Sequence, residues 1–208
     1  MYYTTHMKIY FIRHGESQQT DHVFQSSSTP LSDKGVLQAQ TVAKALFSTS
    51  FDLLVSSPYE RALQTAQIIE HSVHIPVIQN PLFTERKMPT SFEGKPVNQE
   101  AISLTHQQIR QNFFNKDWHH EDEENFFDLQ ARVRAAREWL VSQNKETVLV
   151  TTHGYFLTIM VFDILFGNTD SHHLFKSFKT RTEFSNGGIT VVEFQSGTWR
   201  ILSINMIP

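Results

Sequence analysis

Lys8–Ser17 reads KIYFIRHGES, and the fold turns on how this stretch is read. KIYFI is a compact run of β-branched and aromatic residues, the composition of a buried strand. It gives way at once to Arg13, His14 and Gly15, so a strand ends where an arginine, an imidazole and a turn residue meet. The same pattern returns in ETVLVTTHG, Glu146–Gly154, where a second apolar run ends in polar residues, His153 and Gly154.

Outward from these two stretches, strands alternate with helices. LSDKGVLQAQTVAKALF opens with Ser32 or Asp33 as a cap, and Val36, Leu37, Ala39, Val42, Ala43 and Leu46 recur at helical spacing. FDLLVSS is a second strand, and Pro58 is expected in the first turn of the helix YERALQTAQIIEH, which buries Ala62, Leu63, Ala66 and Ile69. HIPVIQ reads as a third strand, 81–96 as loop, and 98–115 and 126–143 as helices separated by KDWHHEDEEN, expected to be a solvated acidic loop. YFLTIMVFDILF follows the HG of the later strand. It is too short to span a bilayer and carries Asp163, which makes it a buried helix. GGITVVEFQSGTWRILSIN is a terminal hairpin with antiparallel pairing. The alternation predicts an α/β fold with a mixed, mostly parallel sheet covered on both faces.

The 208 residues suit one domain with a sizeable core. Charge narrows the partners, since 18 basic against 21 acidic residues leave a net −3, with no global field for nucleic acid or an anionic membrane. The absence of cysteine removes disulfides, thiolate metal sites and cysteine nucleophiles, and fits a cytoplasmic location. No secretory signal pattern opens the chain, and Met7 is an alternative start that would leave residues 1–6 as an extension.

In an open α/β sheet, ligands bind beyond the carboxyl ends of the strands. Three strand ends here share one chemistry. The first carries Arg13 and His14, the second leads through SSPYER to Arg61, and the later one carries His153. Taken singly, each has an ordinary reading: a surface turn, an arginine paired with Glu60, a core histidine. If these strands are neighbours, two cations and two imidazoles converge on one crevice, and arginine forks match the oxygens of a phosphoryl group.

FIRHGES, TPLSDKGVLQAQ, SSPYERALQTA and VTTHGY together resemble the ordered signature segments of the histidine phosphatase superfamily, the phosphoglycerate mutase-like fold. The resemblance implies a three-layer α/β/α sandwich spanning 1–208 as a single domain, with cap-like insertions near 81–97 and 110–126. It implies that His14 is the nucleophile that forms a phosphohistidine, with Arg13, Arg61, His153 and Gly154 around the phosphate. It places the proton donor in the loop after the third strand, where PLFTER supplies Glu85, with Glu93 of FEGK as the alternative. Surrounding cations should keep His14 neutral and nucleophilic. No metal or cofactor is implied, because arginines neutralise the developing charge. Thr20 stands where the family commonly has a phosphate-contacting Asn, and Asn186 resembles a supporting Asn.

The expected activity is that of a metal-independent phosphoric monoester hydrolase, with a small phosphorylated substrate and inorganic phosphate as partners. Monomer and homodimer both remain open. A mutase-type phosphotransferase is the alternative: the chain keeps Glu85-Arg86 but lacks the Tyr-Gly of the mutases' Glu-Arg-x-Tyr-Gly segment, and LTHQQIRQNFF offers only Arg110. A phosphate-binding module without turnover is a third reading. Phe92, Phe113, Phe114, Trp118, Phe126 and Phe127 could cap the crevice against an apolar leaving group, or be core, while Arg86, Lys87 and Lys95 could meet a second anionic group.

Overall fold

The computed structural model describes residues 6–18, 23–167, 169 and 171–208. The predicted alternation is present: β1 (His6–Arg13), α1 (Asp33–Leu46), β2 (Leu53–Ser56), α2 (Glu60–Val73), β3 (Val77–Gln79), α3 (Glu100–Asn112), α4 (Phe126–Ser142), β4 (Thr147–Thr152), α5 (Gly154–Phe166), α6 (His172–Arg181), β5 (Ile189–Gln195) and β6 (Thr198–Met206). One six-stranded sheet runs β3-β2-β4-β1-β5-β6. The first four strands of that order are parallel, and β5 is antiparallel to both β1 and β6. The later strand β4 therefore slots between β2 and β1, which brings the three chemically marked strand ends side by side.

Strand pleat divides the core in two. Met7, Ile9 and Phe11 point to the face covered by α4 and α5, with Phe175 of α6 in the same cluster. Ile12 and Leu54 point to the opposite face, where Val42, Ala43 and Leu46 of α1 and Ala66 and Ile69 of α2 cover them. A smaller cluster of Phe92, Ile102 and Ile109 joins α3 to the 88–92 segment. The apolar helix α5 is buried along most of its length, and Asp163 within it accepts from Arg134 at 2.7 Å and Arg137 at 2.5 Å. Among the described residues, no helix is long and apolar enough to cross a membrane.

Several local expectations change. Pro58 lies before the cap of α2 rather than inside its first turn. The Tyr59 amide donates to Ser57 Oγ and that of Glu60 to the Ser27 carbonyl, so these donors hold the chain extended before the helix begins. In α1, Leu37 is 62% exposed while Gly35 is buried. A Cβ on Gly35 would stand 2.0 Å from the Glu16 carbonyl oxygen, and one on Gly15 would stand 2.3 Å from the Gly35 carbonyl oxygen. The turn after β1 thus lies directly on the backbone of α1. Gly15 serves this close approach to a helix.

The segment KDWHHEDEEN is not simply a solvated acidic loop. Glu123 is buried and pairs with Arg86 at 3.0 Å, Glu124 pairs with Arg132 at 2.6 Å, and Asp122 pairs with Lys87 at 2.9 Å. Three carboxylates there are the counter-charges of cations from elsewhere in the chain, which desolvation requires of any buried arginine. Helix α6 was not expected from the sequence. Of the six aromatics considered for the crevice, Phe113 and Phe126 are buried in the main core, with Phe114 and Phe127 packed against them. Trp118 packs on the α3 cluster.

Candidate active site

At the carboxyl ends of β1, β2 and β4 lies a cleft of about 450 Å³ whose walls include Arg13, His14, Tyr59, Arg61, Glu85 and Glu93. β1 ends at Arg13, so His14 is the first residue past the strand and its ring stands at the floor of the cleft. It is 5% exposed. Its Nδ1 lies 2.7 Å from the Gly15 carbonyl oxygen, which can only accept, so Nδ1 carries the proton. The lone pair of the neutral ring is therefore on Nε2, where the Arg61 Nε–H donates at 3.3 Å. Burial, then the charges of Arg61 and Arg13, hold the His14 pKa down to about 3 against the opposing pull of the Gly15 hydrogen bond. The imidazole is neutral across the physiological range, with one defined tautomer and its Nε2 lone pair facing the Arg61 guanidinium.

Arg61, at the second position of α2, is 4% exposed and also donates from Nη1 to the Ser26 carbonyl at 3.1 Å. The ordinary alternative, pairing with Glu60, does not occur, because Glu60 accepts from Gln64. Arg13 donates from Nη1 to the Phe184 carbonyl, and its buried Nε has no partner among the described residues. Burial lowers the pKa of both guanidinium groups and the Glu85 carboxylate opposes it. Glu85 is thus the counter-charge felt by both.

His153 caps α5 and is fully buried. Its Nε2 is 2.8 Å from Ser57 Oγ, and its Nδ1 is buried without a partner among the described residues. Its ring centroid is 5.0 Å from that of His14. Burial, then the neighbouring His14, hold its pKa well below the ordinary value. Gly154 is the first residue of α5, and a Cβ there would come within 3.2 Å of Arg13 Nε. Its contribution in the structure is room for that guanidinium.

Glu85 arrives from the loop after β3. Oε1 accepts from the backbone amides of Arg86 at 2.9 Å, Tyr155 at 3.1 Å and Phe156 at 3.2 Å, and Oε2 from Tyr155 at 3.3 Å. The carboxylate so occupies the amino end of α5, where orphan amides await an acceptor. It does not pair with Arg86 or Lys87, whose partners are Glu123 and Asp122. Glu93 is exposed at the rim of the same cleft. Lys95 is not part of its lining, and Thr20 falls outside the described residues. Asn186 donates to the His14 carbonyl at 2.8 Å, so it supports the backbone at His14.

Four supporting residues escape a reading of the sequence. Thr65 accepts the Gly15 amide at 3.1 Å, and Ser57 fixes His153. Gly35 admits the turn after β1. Arg132 of α4 donates to the carbonyls of Leu82, Thr84 and Glu85 at 2.8–3.1 Å, clamping the loop that presents Glu85. Ser57 and Thr65 lie inside SSPYERALQTA and Gly35 inside TPLSDKGVLQAQ, while Arg132 stands outside every one of those segments.

The two neutral histidines carry a pH signature. Their folded pKa values lie below that of a solvated imidazole, so the unfolded chain binds more protons between the two. Stability from this source is complete above about pH 6.5 and is lost as pH falls through that value toward the folded pKa of about 3 for His14. We expect the urea midpoint to fall steadily from pH 7 to pH 4, and the slope to flatten in His14→Gln.

Comparison with known proteins agrees with this geometry. A protein 26% identical over 201 residues, covering 94% of this chain and 92% of its own length, is named uncharacterized phosphatase PhoE of Bacillus subtilis (strain 168). Another, 26% identical over 200 residues and covering 93% of this chain and 87% of its own, is named "Probable phosphoglycerate mutase GpmB" of Proteus mirabilis (strain HI4320). The solved structure of Bacillus stearothermophilus YhfR superposes with a TM-score of 0.81 at 24% identity, covering 97% of this chain and 98% of that one, and shares the fold. The family model of the histidine phosphatase superfamily, branch 1, matches residues 9–207, and the chain belongs to that superfamily.

Proposed function

We propose that the protein is a phosphomonoesterase that passes a phosphoryl group from a small ester through His14 to water. The observation that carries this reading is the His14 ring itself, with Nδ1 bound to the Gly15 carbonyl and the Nε2 lone pair directed at Arg61. In the first step Nε2 forms a bond to phosphorus as the ester P–O bond breaks, and the proton carried in by the monoanionic ester passes through the Glu85 carboxylate to the departing oxygen. Arg13 and Arg61 bear the charge on the transferring oxygens, and His153 packs against the His14 ring, their centroids 5.0 Å apart. In the second step water attacks phosphorus, Glu85 takes the water proton, the N–P bond breaks, and orthophosphate leaves. Oε2, with one long amide contact against three on Oε1, is the oxygen available for that proton.

Hydrolysis is favoured over mutase chemistry by the cations beyond the phosphoryl site. Arg86 and Lys87 line the cleft but are paired with Glu123 and Asp122, and Arg110 lines a different surface. The cleft instead offers Phe24, Met88 and Phe92 to the leaving group. The substrate class is a small phosphate monoester whose leaving group is at least partly apolar.

The test is leaving-group dependence without added divalent metal. Glu85→Gln should lower turnover of alkyl phosphates about 10²-fold or more and that of an aryl phosphate, whose phenolate needs little protonation, much less. Glu93→Gln should leave both close to wild type. Equal losses on alkyl and aryl esters would remove Glu85 as the acid. Phosphorus NMR showing phosphate on a second acceptor hydroxyl, rather than free orthophosphate, would replace hydrolysis with phosphotransfer.

A further inference from the structure

A second concave surface lies on the far side of Arg86. It is a groove of about 400 Å³ between α3 and α6, with His106 and Arg110 on one wall and His172, Lys176 and Lys179 on the other. No carboxylate lines it among the described residues, and the same holds for the shallower extension beside it that shares His106, Arg110, His172 and Lys176. This is unusual for a chain of net charge −3. The other arginine-rich places carry their own counter-charges: Glu123 for Arg86, Glu124 for Arg132, Asp163 for Arg134 and Arg137.

The cations of the groove have softer partners or none. Lys179 Nζ sits 4.2 Å from the centre of the Tyr155 ring and 3.1 Å from its hydroxyl. Arg110 and Lys176 are exposed, and no side-chain ion pair joins either to a described residue. Arg110 and Arg86 both push down the pKa of His106, after burial, which shows how near these like charges stand. Like charges gathered without a counter-ion repel one another, and a bound polyanion relieves them all at once. Phe113, Phe114 and Phe175 form an apolar floor that strengthens each such contact by excluding water.

Arg86 stands between the groove and the phosphoryl cleft, and apart from it the two share no lining residue. Arg86 lines both, but it is held by Glu123 at 3.0 Å and the Glu124 carbonyl at 2.9 Å, with its guanidinium 4.1 Å from the centre of the Phe113 ring. With Arg86 so held, the groove and the cleft offer separate sets of donors. We propose that the α3–α6 groove is a second anion site, which takes a small oligophosphate with two or more linked phosphate groups.

Inorganic tripolyphosphate is the probe, titrated by calorimetry into His14→Ala, which cannot turn it over by the route proposed above. Adding Arg110→Gln and Lys176→Gln should weaken binding roughly tenfold or more, while Arg110→Lys with Lys176→Arg in the same background should keep it within about threefold. The melting temperature of each sample reports folding. Affinity untouched by Arg110→Gln/Lys176→Gln but lost on adding Arg61→Gln would put the probe in the cleft and overturn the groove, leaving the phosphatase reading intact. Binding that depends on Arg110 and Lys176 in a protein whose wild type hydrolyses no ester would uphold the groove and remove the phosphatase reading instead. No binding at low ionic strength, where exposed charges act most strongly, overturns the proposal outright.

Discussion

Replacing His14 by alanine is expected to lower turnover of every phosphate ester by about 10⁴-fold or more, because it removes the atom proposed to bond to phosphorus. The expected size reflects how much is prearranged around that atom. Nδ1 is committed to the Gly15 carbonyl, and the pKa is held to about 3 by burial and by Arg61, so essentially every molecule at neutral pH presents the same unprotonated Nε2 beside Arg61. Alanine leaves Arg13 and Arg61 in place to bind a phosphoryl group with nothing to receive it. The measurement is kcat with an aryl phosphate, together with acid-labile, base-stable phosphate on the protein after rapid quenching. Wild type should carry that label and His14→Ala should not. Undiminished turnover in His14→Ala would end the phosphohistidine mechanism, and the Glu85 role with it.

The second large effect is at Arg61. Arg61→Lys keeps the charge and loses the fork, and kcat/KM should fall about 10²-fold. Arginine reaches the His14 Nε2 with one nitrogen and the Ser26 carbonyl with another, leaving a further donor for the ligand. A lysine ammonium cannot span those two acceptors from one stem. Inhibition by orthophosphate should weaken in parallel, since product and transition state share the same oxygens. A fall in kcat with phosphate affinity unchanged would mean that Arg61 orders the His14 ring rather than gripping phosphate.

The parts that the sequence made legible are those whose signal is local. A β-rich run stopping at His-Gly, twice, marks where two strands end, and the helical spacing after Ser32 marks α1. The adjacency of β4 to β1 and β2 could only be assumed from that pattern, and the sheet order supplies it. Contacts across long separations left no such trace. Glu85 finds its amide partners 70 residues away, at the start of α5. Glu123 looked like one more solvated acid in an acidic run until the fold brought Arg86 to it. Helix α6, HHLFKSFKTR, escaped because Phe175 is its only fully buried residue, too little for a periodic signal. Thr20 carries an expectation that falls on residues outside the described ones.

The meeting of Gly15 with Gly35 sets the time base of the site. His14 is anchored where one main chain rests on another, with no side chain between them to change rotamer. Picosecond-to-nanosecond rotamer exchange, which loosens most surface contacts, has nothing to act on at that point. Displacing the nucleophile requires α1 and the β1 turn to part as bodies, a slower and rarer event. Glu85, Arg86 and Arg132 are placed instead by side-chain hydrogen bonds, which depend on rotamers as the His14 turn does not.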